Sequence, residues 1–222
     1  MENHIVKIIS VEPVTHDVKR FTIQKPEGFK FIPGQATDVS VNTPALKNEK
    51  RPFTFTGLND NKQLEFTIKI YNTHDGVTKE LAKLKQGDEL IIRDVWGAIE
   101  YRGEGVFIAG GAGVTPFIAI LRQLQADNKI ANNKLIFTNK TEKDIILKKE
   151  FNEILGKNFI NTLTDEKKEG YENGRIDYTF LKEKIDNFEQ HFYVCGPPQF
   201  VTAISEALTQ LGAKTDTVVF EK

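Results

Sequence analysis

Four short stretches of this sequence hold residues suited to gripping phosphate or a flat ring. In Arg51-Pro52-Phe53-Thr54 the proline keeps the preceding residue extended. The arginine fork therefore has a set direction and suits a pair of phosphate oxygens. Thr54 is opposite in pleat to Phe53 and Phe55, which turns a hydroxyl toward any planar ligand that packs on Phe53. Asp75-Gly76-Val77-Thr78 is a glycine turn feeding a short helix over 78–85, with Leu81 and Leu84 on its apolar face. N–H groups at such a start hold phosphate; Thr78 as a plain N-cap is the structural alternative. One pyrophosphate would satisfy Arg51 and the helix start together.

The other two stretches are Gly110-Gly111-Ala112-Gly113-Val114-Thr115-Pro116 and Cys195-Gly196-Pro197-Pro198. Glycines allow positive φ and close backbone approach to a ligand, and Thr115 and Pro116 suit N-cap and N1 of a following helix. The loop is not a Walker loop, since no Gly-Lys-Ser/Thr follows. Nor is it the full dinucleotide fingerprint, because Pro116 stands where the third glycine or alanine belongs. Cys195 reads as a small, soft wall, with a buried core thiol as its alternative; no adjacent base marks it as a nucleophile.

The elements that must position these residues fall into two kinds. Leu64, Phe66, Ile68 and Ile70 alternate with polar residues, the period of a half-buried strand. Similar runs at 5–14, 18–23, 36–41, 53–55 and 89–92, separated by Gly, Pro and Asn turns, predict a six-stranded antiparallel barrel. From Gly105 onward, apolar runs at 106–109, 134–138, 158–163, 191–195 and 217–220 alternate with helical faces. Those faces are Phe117, Ile120, Leu121, Leu124, then Leu147, Phe151, Ile154, then Val201, Ile204, Leu208, Leu211. This is the pattern of a doubly wound α/β domain on a five-stranded parallel sheet. In the order 3-2-1-4-5, strands 1 and 4 are neighbours, so both unusual loops would line one crevice at the switch point. The expected domains are 1–101 and 102–222.

Composition narrows the chemistry. The chain has 222 residues, 39% hydrophobic and 27% charged, room for two ordinary cores. Thirty basic against 31 acidic side chains leave −1, which implies no general attraction to nucleic acid or anionic lipid. A single cysteine excludes an intramolecular disulfide, a four-thiolate iron-sulfur cluster and a cysteine zinc site. His4, His16, His74 and His191 show no metal-ligand spacing and read as surface or turn residues, and no metal is expected. Glu142, Lys143, Asp144, Lys148, Lys149 and Glu150 read as a solvated helix face. No apolar run has the length of a membrane span or signal h-region, so a cytoplasmic monomer is expected.

In this order the four motifs resemble the ferredoxin-NADP reductase superfamily, in particular its compact bacterial flavodoxin or ferredoxin reductase-like members. The resemblance implies an FAD-binding barrel, an NAD(P)-binding domain, and hydride passing between nicotinamide C4 and flavin N5 in a cleft between them. It implies that Arg51 binds a flavin phosphate, that Pro52 and Phe53 flank the isoalloxazine, and that Thr54 hydrogen-bonds near N5. Backbone of Ile68, Lys69 and Ile70 would line the ribityl chain, Tyr71 would meet the adenine, and Gly76, Val77 and Thr78 would hold the pyrophosphate. Gly110, Gly111, Gly113 and Thr115 would border the nicotinamide and its phosphates, with Cys195, Gly196 and Pro197 positioning the ring. Phe220 would cover the flavin, or else close the sheet end.

This chain departs from that family at several positions. Phe53 and Thr54 stand where tyrosine and serine are usual, so a phenolic contact is lost while the hydroxyl is kept. Thr164-Asp165 stands where NADPH-specific members often carry Ser-Arg, and a carboxylate there repels a 2′-phosphate. Asn139, Lys140 and Arg175 could still contact the nucleotide, so NADH and NADPH both remain open. The implied acceptor is a small carrier such as flavodoxin or ferredoxin, or a haem or oxygenase component. A free-flavin or ferric reductase, or a non-catalytic nucleotide-binding module, would share most of these features.

Overall fold

The computed structural model describes residues 3–71, 77–97, 99–214 and 218–220, with Phe220 described by its backbone alone. By compactness the chain divides into two units. One comprises 1–100 together with 115–123; the other comprises 101–114 and 124–222.

The first unit is the antiparallel barrel. Its six strands are β1 (His4–Pro13), β2 (Val18–Gln24), β3 (Ala36–Val41), β4 (Arg51–Thr54), β5 (Gln63–Lys69) and β6 (Glu89–Ile92), paired in the order β4-β3-β6-β1-β2-β5. A two-residue strand, β7 (Val95–Trp96), adds to β3. The inward positions of each alternating run meet in one core that includes Val6, Ile8, Phe21, Ile23, Phe55, Phe66 and Leu90. At its centre Phe55 stacks between Phe31 and Phe66, with ring centroids 4.4 and 5.1 Å away. Burial of each such ring contributes roughly 1.5–3 kcal/mol. The helix α1 (Val77–Leu81) is shorter than the expected 78–85, because the chain past Leu81 closes in i→i+3 turns, Lys83 N to Glu80 O and Leu84 N to Leu81 O.

The second unit is a parallel sheet of β8 (Gly105–Gly110), β9 (Lys134–Asn139), β10 (Phe159–Leu163), β11 (Glu172–Asn173), β12 (His191–Cys195) and β13 (Val218–Phe220), ordered β11-β10-β9-β8-β12-β13. The five expected strands stand in the expected 3-2-1-4-5 order. The sixth, β11, pairs only two residues at the β10 edge, held by Thr162 Oγ1 donating to the Gly174 carbonyl, and is too short to leave a periodic signal. Helices α2 (Thr115–Ala126), α3 (Lys148–Leu155), α4 (Tyr178–Lys184) and α5 (Pro198–Gln210) complete the chain. One sheet face, with Val106, Ile108, Ile136, Phe192 and Val194, packs with Leu181 of α4 and Ile204 and Leu208 of α5. On the other, Phe137 meets Phe151 of α3 edge-on.

Three readings need correction. The helix α4 is absent from the sequence-based pattern, although Asp177 caps it by accepting from Phe180 N at 2.9 Å, and an Asp ahead of Leu181 was the available signal. The helix α2 buries Ile118 and Ala119 as well as the four expected positions. With those two buried as well, apolar residues ring the helix and the single-face reading fails; its first nine residues belong to the barrel's compact unit. His191 is no turn residue: it opens β12, with its Nδ1 buried and unpartnered among the described residues. Among those residues, no helix is long and apolar enough to cross a membrane.

Candidate functional site

In the barrel, the strand carrying Arg51, Pro52, Phe53 and Thr54 lies at one end of the ladder path, paired with β3 as Val39↔Arg51, Asp38↔Pro52, Thr37↔Phe53 and Ala36↔Thr54. Proline, which cannot donate to a ladder, is tolerated on such an edge. At the other end of the path lies β5. A single bridge, Phe55↔Phe66, joins the two ends. Beyond it, where antiparallel pairing would continue, Arg51–Thr54 and the segment 67–69 form no ladder. The barrel therefore splits between the two stretches singled out from sequence, leaving backbone donors and acceptors on both edges for a ligand.

Side chains at this split behave differently. Arg51 and Pro52 are exposed, and the Arg51 guanidinium donates to the carbonyl of Lys50 at 2.7 Å. Phe53 is half-buried, its ring 6.4 Å from Phe66, whereas Thr54 is 8% exposed. Ile68 and Ile70 are core residues, so only their backbone can meet a ligand. Lys69 is committed to Asp17, Nζ to Oδ2 3.0 Å. Burial acts against ionisation of Asp17, yet hydrogen bonds from Lys69 and Thr15 prevail and hold its carboxyl below the usual value. Tyr71 is 47% exposed. Gly76 lies outside the described residues. The helix begins at Val77, which places Thr78 inside the first turn rather than at the cap.

One support of this strand was not legible in the sequence. Arg93, 5% exposed, sends Nη1 to the Asp38 carbonyl (3.3 Å) and Ser40 Oγ (3.0 Å) and Nη2 to the Lys47 carbonyl (3.2 Å). Thr37 Oγ1 donates to the Arg93 carbonyl at 2.8 Å. A buried arginine satisfied by carbonyls stiffens β3, on which β4 hangs. Its signal was a charge at the end of an apolar strand run.

In the α/β unit the two glycine-bearing turns do converge. Strands β8 and β12 pair in register up to Ala109↔Cys195. Past that point Gly111–Val114 forms a 3-10 turn running straight into α2 at Thr115. Thr115 and Pro116 are therefore inside helical backbone, and the expected cap is displaced. Gly111 has φ +52° with open space around it, whereas Gly113 faces no space at all. A Cβ on Gly113 would overlap the Cys195 carbonyl and lie 2.6 Å from Gly196 Cα. Gly110 and Gly196 both abut the Phe200 ring. Cys195 is buried and forms no disulfide, while Pro197 is exposed. The result is a close peptide-to-peptide approach at the switch point, made possible by the glycines.

Around the neighbouring strand ends, Asn139 closes β9 with its Nδ2 buried and without a partner among the described residues. Lys140, Thr164, Asp165 and Arg175 are exposed. The Asp165 N–H donates to the Lys140 carbonyl at 2.9 Å, and Thr164 Oγ1 to Asp165 Oδ1 at 2.8 Å. Only the backbone of Phe220 is described, paired with Val194. Glu142 is not on a solvated helix face. It sits in a 3-10 turn and accepts from Lys148 Nζ (2.7 Å), Lys168 Nζ and Tyr171 Oη (2.6 Å). Those hydrogen bonds, Lys148 first, then Lys168 and Tyr171, hold its carboxyl at about 2 against an ordinary 4.5. The cluster ties the 166–172 loop to α3.

A split barrel with an arginine on one edge, and a parallel sheet with a tight peptide cradle at its switch point, define a class of dinucleotide-using oxidoreductase. Known proteins agree. Residues 5–101 match the oxidoreductase FAD-binding domain and residues 107–206 the oxidoreductase NAD-binding domain. NADH-cytochrome b5 reductase 2-A of Vanderwaltozyma polyspora is 29% identical over 217 residues, covering 89% of this chain and 72% of that protein. The flavohem-like FAD/NAD-binding domain of nitric oxide dioxygenase from Vibrio cholerae superposes with a TM-score of 0.89 at 21% identity, covering 100% and 98% of the two chains. A ferredoxin NADP+ reductase from Neisseria gonorrhoeae, solved with FAD and NADP, superposes at 0.84 and 20% identity, covering 100% and 98%. The chain belongs to the ferredoxin reductase family of FAD- and NAD(P)-binding oxidoreductases. The residues fit both groups: the split between β4 and β5 leaves backbone unpaired, Gly113 removes the Cβ that would block a cradle, and Asn139 holds a buried donor in reserve.

Proposed function

We propose that the chain is an NADH-dependent FAD reductase that delivers electrons singly to a haem protein. The observation that carries this reading is the opening of the barrel ladder between Arg51–Thr54 and residues 67–69, opposite strand edges with free backbone groups. Bound FAD supplies a hydride acceptor at N5 and the ability to pass electrons on one at a time. The protein's part is positioning, since hydride transfer needs its donor carbon and acceptor nitrogen within about 3–3.5 Å rather than an acid or base.

In this reading Arg51 pairs a flavin phosphate, Phe53 packs on the ring, and the Thr54 hydroxyl bonds near N5. The backbone of 68–70 lines the ribityl chain, with Tyr71 toward the adenine and Gly76, Val77 and Thr78 toward the pyrophosphate. Gly110, Gly111, Gly113, Thr115 and Asn139 receive the nicotinamide half, and Cys195, Gly196 and Pro197 limit how far the ring slides. Asp165 favours NADH, because its backbone is bonded to Lys140 just past β9 and its exposed carboxylate repels a 2′-phosphate bound there. A relative that names NADH as donor and cytochrome b5 as acceptor supports both choices.

The test is an absorbance spectrum followed by anaerobic addition of NADH, then NADPH, then an oxidised b-type cytochrome. Flavin bands that bleach faster with NADH and recover as the haem is reduced are expected. A colourless protein that takes up no FAD on reconstitution overturns the reading. Recovery only with free flavin or ferric chelates replaces the haem protein by a small acceptor.

A further inference from the structure

The helix α2 carries a side chain that neither the motifs nor the proposed roles use. Arg122 Nη1 donates to Glu65 Oε1 at 2.6 Å and to the Thr56 carbonyl at 2.8 Å. Both side chains of the pair are mostly buried, 17% and 19% exposed. The same carboxylate accepts from Thr56 Oγ1 at 2.8 Å, and Thr56 Oγ1 lies 3.1 Å from Thr67 Oγ1. Arg20 Nε stands 3.6 Å from Glu65 Oε2. Thr56 and Thr67 are buried. Glu65 is therefore a junction where β2, β5, the residue after the Phe55↔Phe66 bridge, and α2 meet. All of these lie in the barrel's compact unit.

We infer that Arg122 is a positioning residue for hydride transfer, acting through α2 on the glycine turn that precedes it; the inference rests on the NADH–FAD reading above. A charge-assisted, mostly buried pair with a second bond to a backbone carbonyl is directional, unlike a solvated surface pair. It fixes both the rotation and the height of α2 on β5. Arg122 lies seven residues, about two helical turns, from Thr115. The helix runs without a break into Gly111–Val114, whose Gly113 is already wedged against the Cys195 peptide. Along this continuous stretch of chain, Gly113 is wedged near one end and Arg122 is anchored near the other. Without the guanidinium, the wedge remains but the helix can rock. Apolar packing resists such a shift without direction, whereas the pair adds a directional restraint, and a displacement near 1 Å costs hydride transfer about 100-fold.

The holoprotein with Arg122→Met, Arg122→Lys and Glu65→Gln tests this. Three measurements are needed: amide hydrogen exchange across 111–117, FAD content and NADH affinity, and the limiting rate of anaerobic flavin reduction by NADH. In Arg122→Met, exchange over 111–117 should rise about 10-fold while β8 amides are unchanged. FAD content and NADH affinity should stay within about twofold of wild type as the limiting rate falls about 10- to 100-fold. Glu65→Gln should follow the same pattern more weakly, and Arg122→Lys should lose only about threefold. Wild-type exchange and rate in Arg122→Met overturn the inference, as does a rate that falls only in step with lost FAD. If Arg122→Met does not fold, Arg122→Lys decides: one ammonium cannot keep the forked geometry, so a fall of about threefold is expected, and an unchanged rate overturns it. A wild-type protein that NADH does not bleach sinks the proposed function instead, and exchange over 111–117 still reports on the clamp.

Discussion

Between β4 and β5 the barrel leaves two strand edges without a ladder, while at the ends of β8 and β12 the α/β unit brings two peptides so close that no side-chain atom fits between them. Both arrangements present backbone to a ligand, but their tolerances are opposite. On the barrel edge, under the proposed function, a ligand would complete an unfinished sheet, and side chains such as Arg51 would add affinity from outside. At the glycine turn the shape exists before any ligand arrives, and a single added carbon destroys it. Contacts to a bound group can be lost one at a time in the first region; in the second they are lost together.

The largest expected effect breaks the second region. Gly113→Ala forces a methyl into the Cys195 carbonyl, and overpacking of this kind costs about 1–3 kcal/mol. The α/β unit should melt earlier and NADH should no longer bleach the flavin, while FAD content is retained; calorimetry and anaerobic titration check both. Next is Arg51→Ala, which removes one charged hydrogen-bonding group from a site that otherwise persists. FAD affinity should fall about 10- to 100-fold, the equivalent of about 1.5–3 kcal/mol, with no change in melting of the apoprotein; equilibrium dialysis measures it.

The smallest effect concerns a place where the α/β unit relies on charged side chains. Glu142 titrates at about 2 when folded and near 4.5 otherwise, so its contribution is complete above 4.5 and disappears as pH falls through about 2. Glu142→Gln should leave melting between pH 2 and 4.5 less steeply dependent on pH than in the wild type. An identical pH profile in the variant would remove the cluster from the stability of the 166–172 loop.

Legibility in the sequence followed the same division. Strand alternation and strand-helix alternation are short-range periodicities, and they recovered the barrel, the sheet order and the helices α2, α3 and α5. The glycine turns were legible because glycine is the only residue whose absence of a side chain is itself a message. Arg93 and Arg122 were not, since a polar residue at the end of an apolar run looks the same whether it meets water or a buried carbonyl. Glu142 was misplaced for a related reason: charge spacing over 142–150 fits a helix face, and only the fold brings Lys168 and Tyr171 to it. The helix α4 escaped because seven residues with one fully buried leucine carry too little period.

The barrel's compact unit continues to residue 123 by way of a helix that follows the glycine turn in sequence. A gene fragment that stops after the last barrel strand would therefore strip β5 of its cover. Glu65 would keep its Arg20 neighbour but lose Arg122, and Gly34 would lose the Ile120 side chain that now approaches it. Such a fragment should be sticky and poorly soluble even though every strand is present. Recombining this protein with relatives at the sequence boundary near residue 101 carries the same cost. Crossovers after α2, by contrast, keep the barrel and its helix as one inherited piece.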